Sequence, residues 1–182
     1  MPILTGPEPL TPALTVRPAR PGEEDAVLDL LAEAAAWLAG RGIHQWPHRF
    51  PREPVRRQIE AGEALLVIGP GKLLATCVVT DADPGLWGEN TEPAYYLGRL
   101  AVAREAAGAG LGNRIIDWVG EKAAVHHKAF VRVATTRDNP ALRGLYERRG
   151  FEHVGDPPEA KWPTSLYEKR LAESRQAEDF RP

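Results

Sequence analysis

The sequence predicts a single α/β domain with a mixed, twisted central β-sheet of about six to seven strands, flanked by helices. Three observations support this fold class. Short apolar runs with the length of strands alternate with longer segments whose apolar residues recur at helical spacing. Two neighbouring runs, 64–68 and 72–80, are separated only by Gly-Pro-Gly, which predicts an antiparallel hairpin. The 182 residues, 43% hydrophobic and 26% charged, suit one globular domain.

Segments at both ends of the chain differ from the predicted domain at 14–171. Residues 1–13 contain four prolines and few apolar side chains, a composition typical of a disordered N-terminal arm. Residues 172–182 are mostly polar, and we expect a frayed C-terminal tail there. The core is therefore expected between these two segments.

The elements of the domain are predicted from apolar spacing and from the residues that begin and end helices. Acidic residues at 23–25 favour a helix start, and Gly40 favours its end. Asn139 is a plausible N-cap for a helix that Gly150 ends. In chain order we expect a strand at 14–18, helices up to residue 39 and at 54–62, strands at 64–68, 72–80 and 97–102, a helix from residue 111, a strand at 130–136, a helix at 140–149, and strands at 151–154 and 165–171.

The overall composition excludes several classes of partner. A net charge of −2 provides no positive field for nucleic acid or an anionic membrane. No apolar run approaches the roughly 20 residues that span a bilayer, and no secretion signal is apparent. Cys77 is the only cysteine, so no intrachain disulfide can form, and its apolar neighbours predict a buried thiol. We therefore expect a cytoplasmic protein.

The stretch at 97–119 carries the strongest functional signal, because it predicts a buried strand, a glycine-rich turn and an amphipathic helix. Gly108, Gly110 and Gly112 alternate immediately before the helical spacing begins. A helix start leaves backbone N–H groups without partners and bears partial positive charge, and glycines let an anion approach them. The stretch is either a cradle for a phosphate group or a turn that only tightens strand–helix packing.

Two nucleotide-binding motifs do not fit this turn. A P-loop requires Gly-Lys-Ser/Thr at the helix start, whereas Gly112 is followed by Asn113 and Arg114. The dinucleotide fingerprint requires G-x-G-x-x-G and an acidic residue about 20 positions later, whereas this chain has G-x-G-x-G and Arg132 there. A phosphate cradle here would thus belong to another class of protein.

The turn and a downstream segment together resemble the GCN5-related N-acetyltransferases (the GNAT family). Residues 107–112, AGAGLG, are similar to the family's motif A, (Gln/Arg)-x-x-Gly-x-(Gly/Ala). Asn-Pro-Ala at 139–141 followed by LYERRGF at 145–151 is similar to its N-x-A and LYE(K/R)xGF segment. The resemblance covers about 15–171 and implies a GNAT fold and transfer of an acetyl group from acetyl-CoA directly to an amine.

The resemblance also implies a binding site for acetyl-CoA as cosubstrate. Backbone groups of the central strand would pair with the pantetheine arm, and amides of the glycine turn would bind the pyrophosphate. Ala107 stands where the family has Gln or Arg, so we expect weaker but retained binding, since one charged hydrogen bond is worth about 1.5–3 kcal/mol. The implied cofactor-binding residues are Leu100, Ala101, Val102, Ala107, Gly108, Ala109, Gly110, Leu111, Gly112, Asn113, Asn139 and Tyr146.

The catalytic roles follow from the same resemblance. Tyr146 matches the family's general acid for the leaving thiolate, although it also suits a core position on an amphipathic helix. The Val102 N–H is the family's usual donor to the developing oxyanion. The attacking amine must lose a proton to a base. Glu92 is preferred because it immediately precedes the central strand, and the remaining candidates are Glu33, His44, His48 and Glu89.

The acceptor site is expected near residues 41–49, RGIHQWPHR, a predicted loop. One interpretation is a helix connector in which Trp46 fills the core. The other is a wall of the acceptor pocket that uses His44 and Trp46, because loops carry specificity. Tyr95 and Arg99 would share one face of the central strand and complete this pocket.

Metal binding by the two histidines of this loop is not expected. His44 and His48 have a suitable spacing, but no third ligand is near and Pro47 opposes a regular helix between them.

The partners that the resemblance implies are a small-molecule or peptide amine and, because dimers are common in the family, a second copy of the chain. An alternative of a different class is a CoA-binding sensor or scaffold without transfer activity.

Overall fold

The computed structural model describes residues 1–89 and 92–172, which form one mixed sheet with helices on both faces. The strands in these residues are β1 (Glu8–Thr11), β2 (Leu14–Pro18), β3 (Ala64–Gly69), β4 (Lys72–Thr80), β5 (Ala94–Val102), β6 (Phe130–Thr136), β7 (Glu152–Gly155) and β8 (Thr164–Arg170). The helices are α1 (Glu24–Ala39), α2 (Arg52–Glu60), α3 (Pro84–Trp87), α4 (Leu111–Val125) and α5 (Pro140–Arg148), and a 3₁₀ turn spans Arg104–Ala106.

The strand order in the sheet is β1-β2-β3-β4-β5-β6-β8-β7. Every neighbouring pair is antiparallel except β5 and β6, which run parallel and are connected through α4. A parallel pair requires such a crossover, whereas the antiparallel hairpin of β3 and β4 needs only a short turn. The predicted mixed sheet is confirmed.

Each face of the sheet has its own apolar core. Odd-numbered residues in the paired parts of β5 and β6, such as Leu97 and Val131, pack with α4 and α5 on one face. The other face packs against α1 and α2, with Leu31, Val55 and Leu66 among its buried side chains. Both faces of the central strands are covered, which explains why these strands read as continuous apolar runs.

The prediction of a disordered arm at 1–13 is wrong for most of that segment. Ile3, Leu4 and Leu10 are buried in the core beneath α4, and residues 8–11 form the edge strand β1. The Glu8 carboxylate accepts a hydrogen bond of 2.7 Å from Trp118 Nε1. Prolines are compatible with this strand because an edge strand has ladder bonds on one side only. The sheet therefore has eight strands in the described residues rather than six to seven.

Two further segments differ from expectation or lie outside the described chain. The loop predicted at 81–93 contains α3, which begins where the Asp83 side chain accepts a hydrogen bond from the Leu86 N–H. Most of the predicted tail at 172–182 lies outside the described residues. Among the helices of the described chain, none combines the length and the hydropathy that a membrane span requires.

Candidate active site

A gap opens in the middle of the sheet where β5 and β6 separate. Their parallel pairing runs from Ala94–Phe130 to Leu97–Val133 and then ends among the described residues. Beyond that point β6 continues to pair with β8 as far as Thr136, whereas β5 continues beside β4 as far as Val102. The β5 edge from residue 98 to 102 is therefore turned toward the gap and is available for another extended chain.

A bulge in β5 lies at the beginning of this gap. Val78 pairs with Gly98 and Thr76 with Ala101, so three residue steps on β5 match two on β4. The extra residue is accommodated by Arg99, whose φ is 49°, in the left-handed region that side chains rarely adopt. Beyond the bulge the Ala103 N–H bonds to a β4 carbonyl at 2.8 Å. Since N–H directions alternate along a strand, the Val102 N–H points into the gap.

The glycine turn leads from β5 into α4 at the end of the gap. Gly108 and Gly110 have φ values of 84° and 81°, which a side chain would strain. A Cβ at either position would meet no atom of the chain within 4 Å, so the turn borders open space. Gly110 is the N-cap of α4 and provides no side chain to cap the first-turn N–H groups. These donors and the helix dipole favour an anion.

A groove of about 460 Å³ extends from the β5 gap along the glycine turn to α5. It brings together nine of the twelve predicted cofactor-binding residues and leaves out Ala101, Ala109 and Asn139. Asn113 Oδ1 is buried here and accepts no hydrogen bond from any described residue. A buried acceptor without a donor is costly, so the groove fits a ligand with both an anionic group and N–H or O–H donors. The groove residues are Leu100, Val102, Ala106, Ala107, Gly108, Gly110, Leu111, Gly112, Asn113, Ile116, Leu142, Leu145 and Tyr146.

Tyr146 lies on α5 and lines the groove from the side opposite the glycine turn. Its residue surface is only 5% exposed, and its ring packs edge-on against Phe151 at 5.4 Å between centroids. Burial raises the pKa of the Tyr146 hydroxyl to about 12. This raised pKa keeps the hydroxyl protonated. It forms no hydrogen bond within the described part of the chain, so it is available as a donor.

Asn139 holds α5 in place from its amino end. Its Oδ1 accepts a hydrogen bond of 3.1 Å from the Leu142 N–H, which confirms the predicted N-cap. Its Nδ2 donates to Gln45 Oε1 at 3.3 Å and so ties α5 to the loop at 41–49. The residue borders a smaller cavity of about 220 Å³ beside β5 rather than the groove, so its predicted contact with a cofactor remains a prediction.

A second large cavity, of about 570 Å³, lies on the α1–α2 face of the sheet. Its β5 lining ends at Arg99, and the groove on the α4 face begins at the next residue, Leu100. The bulge of β5 therefore lies between the two cavities. We name this second cavity the aromatic cavity, because five aromatic side chains line it: Trp46, Phe50, Trp87, Tyr96 and Trp162. Its charged lining residues are Asp83, Arg99 and Arg132.

Two of the four predicted acceptor residues line this cavity. Trp46 and Arg99 do, whereas His44 is exposed and is absent from the lining. The predicted position of Tyr95 is wrong. Its ring is buried beneath α4 and its hydroxyl lies 2.5 Å from His126 Nδ1. The extra residue in the bulge shifts the alternation, so Arg99 shares the cavity with Tyr96 instead.

The carboxylates considered as a base differ in their surroundings. Glu92 Oε1 accepts a hydrogen bond of 3.1 Å from Arg132, and Glu92 does not line the cavity. Glu33 accepts from the Arg104 N–H at 2.7 Å. Asp83, which the sequence analysis did not single out, lines the cavity, and burial raises the pKa of its carboxyl group. The sequence signal that could have identified Asp83 is its position immediately before Pro84, which is typical of a helix cap.

The comparison with known proteins agrees with this architecture. Residues 29–151 match the Acetyltransferase (GNAT) family. The uncharacterized N-acetyltransferase YesJ of Bacillus subtilis (strain 168) is 32% identical over 141 residues, which are 73% of this chain and 78% of YesJ.

Solved structures show the same fold. A GNAT-family acetyltransferase from Listeria monocytogenes 4b F2365 superposes with a TM-score of 0.75 at 28% identity, over 87% of this chain and 95% of that one. N-acetylglutamate synthase from Neisseria gonorrhoeae, solved with coenzyme A and N-acetyl-glutamate, gives a TM-score of 0.64 at 18% identity, over 87% of this chain and 35% of that one. With its split sheet, bulged strand and glycine turn, the chain belongs to the GNAT family of acetyltransferases.

Proposed function

We propose that this protein transfers an acetyl group from acetyl-CoA to a primary amine by direct attack. The observation that carries the proposal is that consecutive residues of the β5 bulge, Arg99 and Leu100, line the two cavities. A donor bound in the groove and an acceptor bound in the aromatic cavity would approach each other from opposite faces of the sheet. Such an arrangement favours direct transfer because proximity alone lowers the barrier substantially.

The groove fits acetyl-CoA, which supplies an acetyl group activated as a thioester. The open edge of β5 at residues 100–102 would hold the pantetheine arm as an added strand, and the amides of residues 107–113 would hold the pyrophosphate. Asn113 Oδ1 would accept a hydrogen bond from the same ligand. The coenzyme A complex of the distant Neisseria relative supports this assignment at the level of the family.

The reaction requires one bond to form and one to break. The neutral amine nitrogen bonds to the acetyl carbonyl carbon, and the carbon–sulfur bond breaks with its electron pair going to sulfur. The Val102 N–H donates to the oxygen on which negative charge develops. Tyr146 donates a hydrogen bond to the departing sulfur and the amine gives its proton to a base. The thiolate then takes up a proton from solvent and ends as a thiol.

Asp83 is the base that the cavity geometry favours over Glu92. One Asp83 oxygen caps α3 by accepting from the Leu86 N–H at 3.3 Å, and the other forms no hydrogen bond within the described residues. Its raised pKa brings the carboxylate closer to the range that proton abstraction requires. Glu92 is instead held in an ion pair with Arg132.

Asp83→Asn and Glu92→Gln are a matched pair that separates these candidates. Asparagine caps helices as well as aspartate does, so the first change should preserve α3. We expect Asp83→Asn to lower kcat/KM by about 100-fold or more and Glu92→Gln by less than about threefold. Wild-type activity should fall as the pH drops through the raised pKa of Asp83, and Asp83→Asn should remove that acid limb. If Glu92→Gln lowered kcat/KM more than Asp83→Asn, Glu92 rather than Asp83 would be the base.

The proposed activity itself is tested by binding and by release of CoA thiol. Calorimetry should detect acetyl-CoA binding, and acetyl-CoA at 100 times its Kd should stabilise the fold by about 2.7 kcal/mol. A panel of primary amines should then release CoA from acetyl-CoA in an amine-dependent manner. No binding at millimolar acetyl-CoA would overturn the proposal. Binding without release of CoA with any amine would support the alternative of a CoA-binding sensor, which Ala107 in place of Gln or Arg motivates.

We propose that the protein is located in the cytoplasm, because a buried, free thiol at Cys77 suits a reducing compartment.

A further inference from the structure

Arg99 is placed in the aromatic cavity by an unusual backbone conformation. Its φ of 49° at the bulge is uncommon for a residue with a side chain, and such positions cluster at functional sites. Its Nη1 donates to Gln58 Oε1 at 2.7 Å, and its guanidinium carbon lies 4.5 Å from the centroid of the Phe50 ring. Both contacts hold the guanidinium in one orientation within the cavity.

The charges of the cavity leave Arg99 without a counter-ion. The other guanidinium in the lining, that of Arg132, is paired with Glu168 at 3.0 Å and with Glu92 at 3.1 Å. Within the described residues, no carboxylate lies within ion-pair distance of Arg99, and burial lowers the pKa of its guanidinium. A neutral amide and an aromatic ring do not neutralise this partly buried cation, and buried charges are normally paired with an opposite charge.

We propose that the acceptor is a small amino-carboxylic acid whose carboxylate binds Arg99, with an apolar or aromatic body that packs against the rings of the cavity. This inference rests on the proposed acetyl transfer. A guanidinium has five N–H donors, of which Gln58 takes one, so an edge remains for bidentate contact with a carboxylate. The volume of about 570 Å³ lies within the usual range for small-molecule sites.

The aromatic side chains of the cavity provide a second determinant of specificity for the acceptor. Trp46 and Phe50 pack edge-on at 5.8 Å between centroids on the α2 side, and Trp87 and Tyr96 pack in the same way at 5.8 Å on the α3 side. Both pairs offer apolar ring surface against which an apolar or aromatic side chain would pack. An amino acid with an apolar side chain satisfies both the rings and the single unpaired cation.

Matched acceptors test this inference directly. We would compare phenylalanine, phenylalaninamide and phenethylamine, and then leucine with leucinamide and 3-methylbutylamine, by CoA release. The free acids should have kcat/KM values about 10–150-fold above those of the amides and the simple amines, the range of a charge-assisted hydrogen bond. The amides have less basic amines, which biases the comparison against the expected result. Equal rates for acids and amides would overturn the inference.

Variants of Arg99 show whether that residue causes the preference. Arg99→Met should reduce the preference for free acids over amides to less than about fivefold, while the Kd for acetyl-CoA stays within about twofold of the wild-type value. Arg99→Lys should retain an intermediate preference. Arg41→Met is the control, because Arg41 also stacks on an aromatic ring, that of Trp37, but outside this cavity. An unchanged preference in a folded Arg99→Met protein would contradict the inference.

A binding measurement separates this inference from the proposed function. Calorimetry with CoA present should show that phenylalanine binds and phenylalaninamide binds at least about 10-fold more weakly, and that Arg99→Met removes the difference. If that pattern appears without any CoA release, the carboxylate site stands and the transfer activity fails. If amines without a carboxylate are acetylated as well as phenylalanine, transfer stands and the carboxylate site fails.

Discussion

Tyr146 combines a buried ring with a hydroxyl that is not committed to any partner in the described chain. The ring contributes to the core with Phe151, so its presence alone would be explained by packing. The position of the hydroxyl has no such explanation, because it bonds to no described residue although Tyr146 lines the groove. With a pKa of about 12 against a reference of about 8.5 for a thiol, complete proton transfer to a thiolate is uphill by about 5 kcal/mol. We therefore expect Tyr146 to act mainly as a hydrogen-bond donor to developing charge.

Tyr146→Phe should lower kcat by about 10- to 100-fold while the KM for acetyl-CoA changes by less than about threefold. The ring is retained and the lost hydroxyl has no partner among the described residues, so the melting temperature should hardly change. Since a raised pKa keeps the hydroxyl protonated below about 12, wild-type activity should show no loss from this group up to about pH 10. Steady-state kinetics across this pH range test both statements, and a wild-type kcat in the variant would refute the donor role.

At the scale of the element, the β5–α4 unit combines three local features that each favour ligand binding. The bulge turns a strand edge toward the gap, the left-handed glycines shape the turn, and the uncapped helix start presents N–H donors. None of these features stabilises the free protein, since each leaves backbone groups unpaired or strained. Their cost is consistent with a segment shaped for a bound anion.

Gly110 and Gly112 offer a matched pair of substitutions in this unit. Gly110→Ala should cost about 1–2 kcal/mol of stability because φ is 81° there, whereas Gly112→Ala lies within α4 and should stabilise the free protein by up to about 1 kcal/mol. An added Cβ at Gly112 would make only an ordinary contact of 3.8 Å with Val102. Both variants should nevertheless weaken acetyl-CoA binding, because the new methyl group occupies the space near the first-turn amides.

Urea unfolding and calorimetry measure the two effects separately. If both variants bound acetyl-CoA with wild-type affinity, the anion would not lie at this turn, and the proposed groove would be wrong.

At the scale of the molecule, the sheet separates two cores and two cavities. The α4–α5 face carries the groove and the α1–α2 face carries the aromatic cavity, and the bulge of β5 lies between them. The edge strand β1 extends the core beneath α4, so the amino-terminal segment supports the helix whose start forms the glycine turn. Stability of the sheet and geometry of the site are therefore coupled.

Cys77 provides a probe of this shared core. It lies in β4 with 1% exposure, and burial raises the pKa of its thiol to about 12. Because the thiolate is the reactive form, Ellman's reagent at pH 8 should leave the native protein unlabelled over an hour. After unfolding in guanidinium chloride one thiol per chain should react, since the sequence has a single cysteine. Cys77→Ala supplies the baseline, and rapid labelling of the folded protein would show that β4 opens locally.

The sequence predicted most of the elements, because their apolar spacing and helix caps are local signals. The helix cap at Asn139 and the glycine turn are examples, since each depends on residues within one turn of the chain. The segment containing β1 was predicted wrongly because its composition resembles a disordered arm. What orders it is contact with Trp118 and Arg114 of α4, which lie about a hundred residues away in sequence.

The groove and the aromatic cavity also differ in how far the sequence predicts them. The groove could be predicted from the sequence because one continuous segment, from β5 to α4, forms most of its lining. The aromatic cavity could not, because Asp83, Tyr96 and Arg99 reach it only through α3, the parallel strand pair and the bulge. Strand alternation alone assigned Tyr95 to that cavity, and a single extra residue in β5 reversed the assignment. The sequence by itself thus determined the family, most of the elements and the glycine turn, while only the tertiary structure decided which side chains line the aromatic cavity, because register and bulges arise from pairing between distant segments.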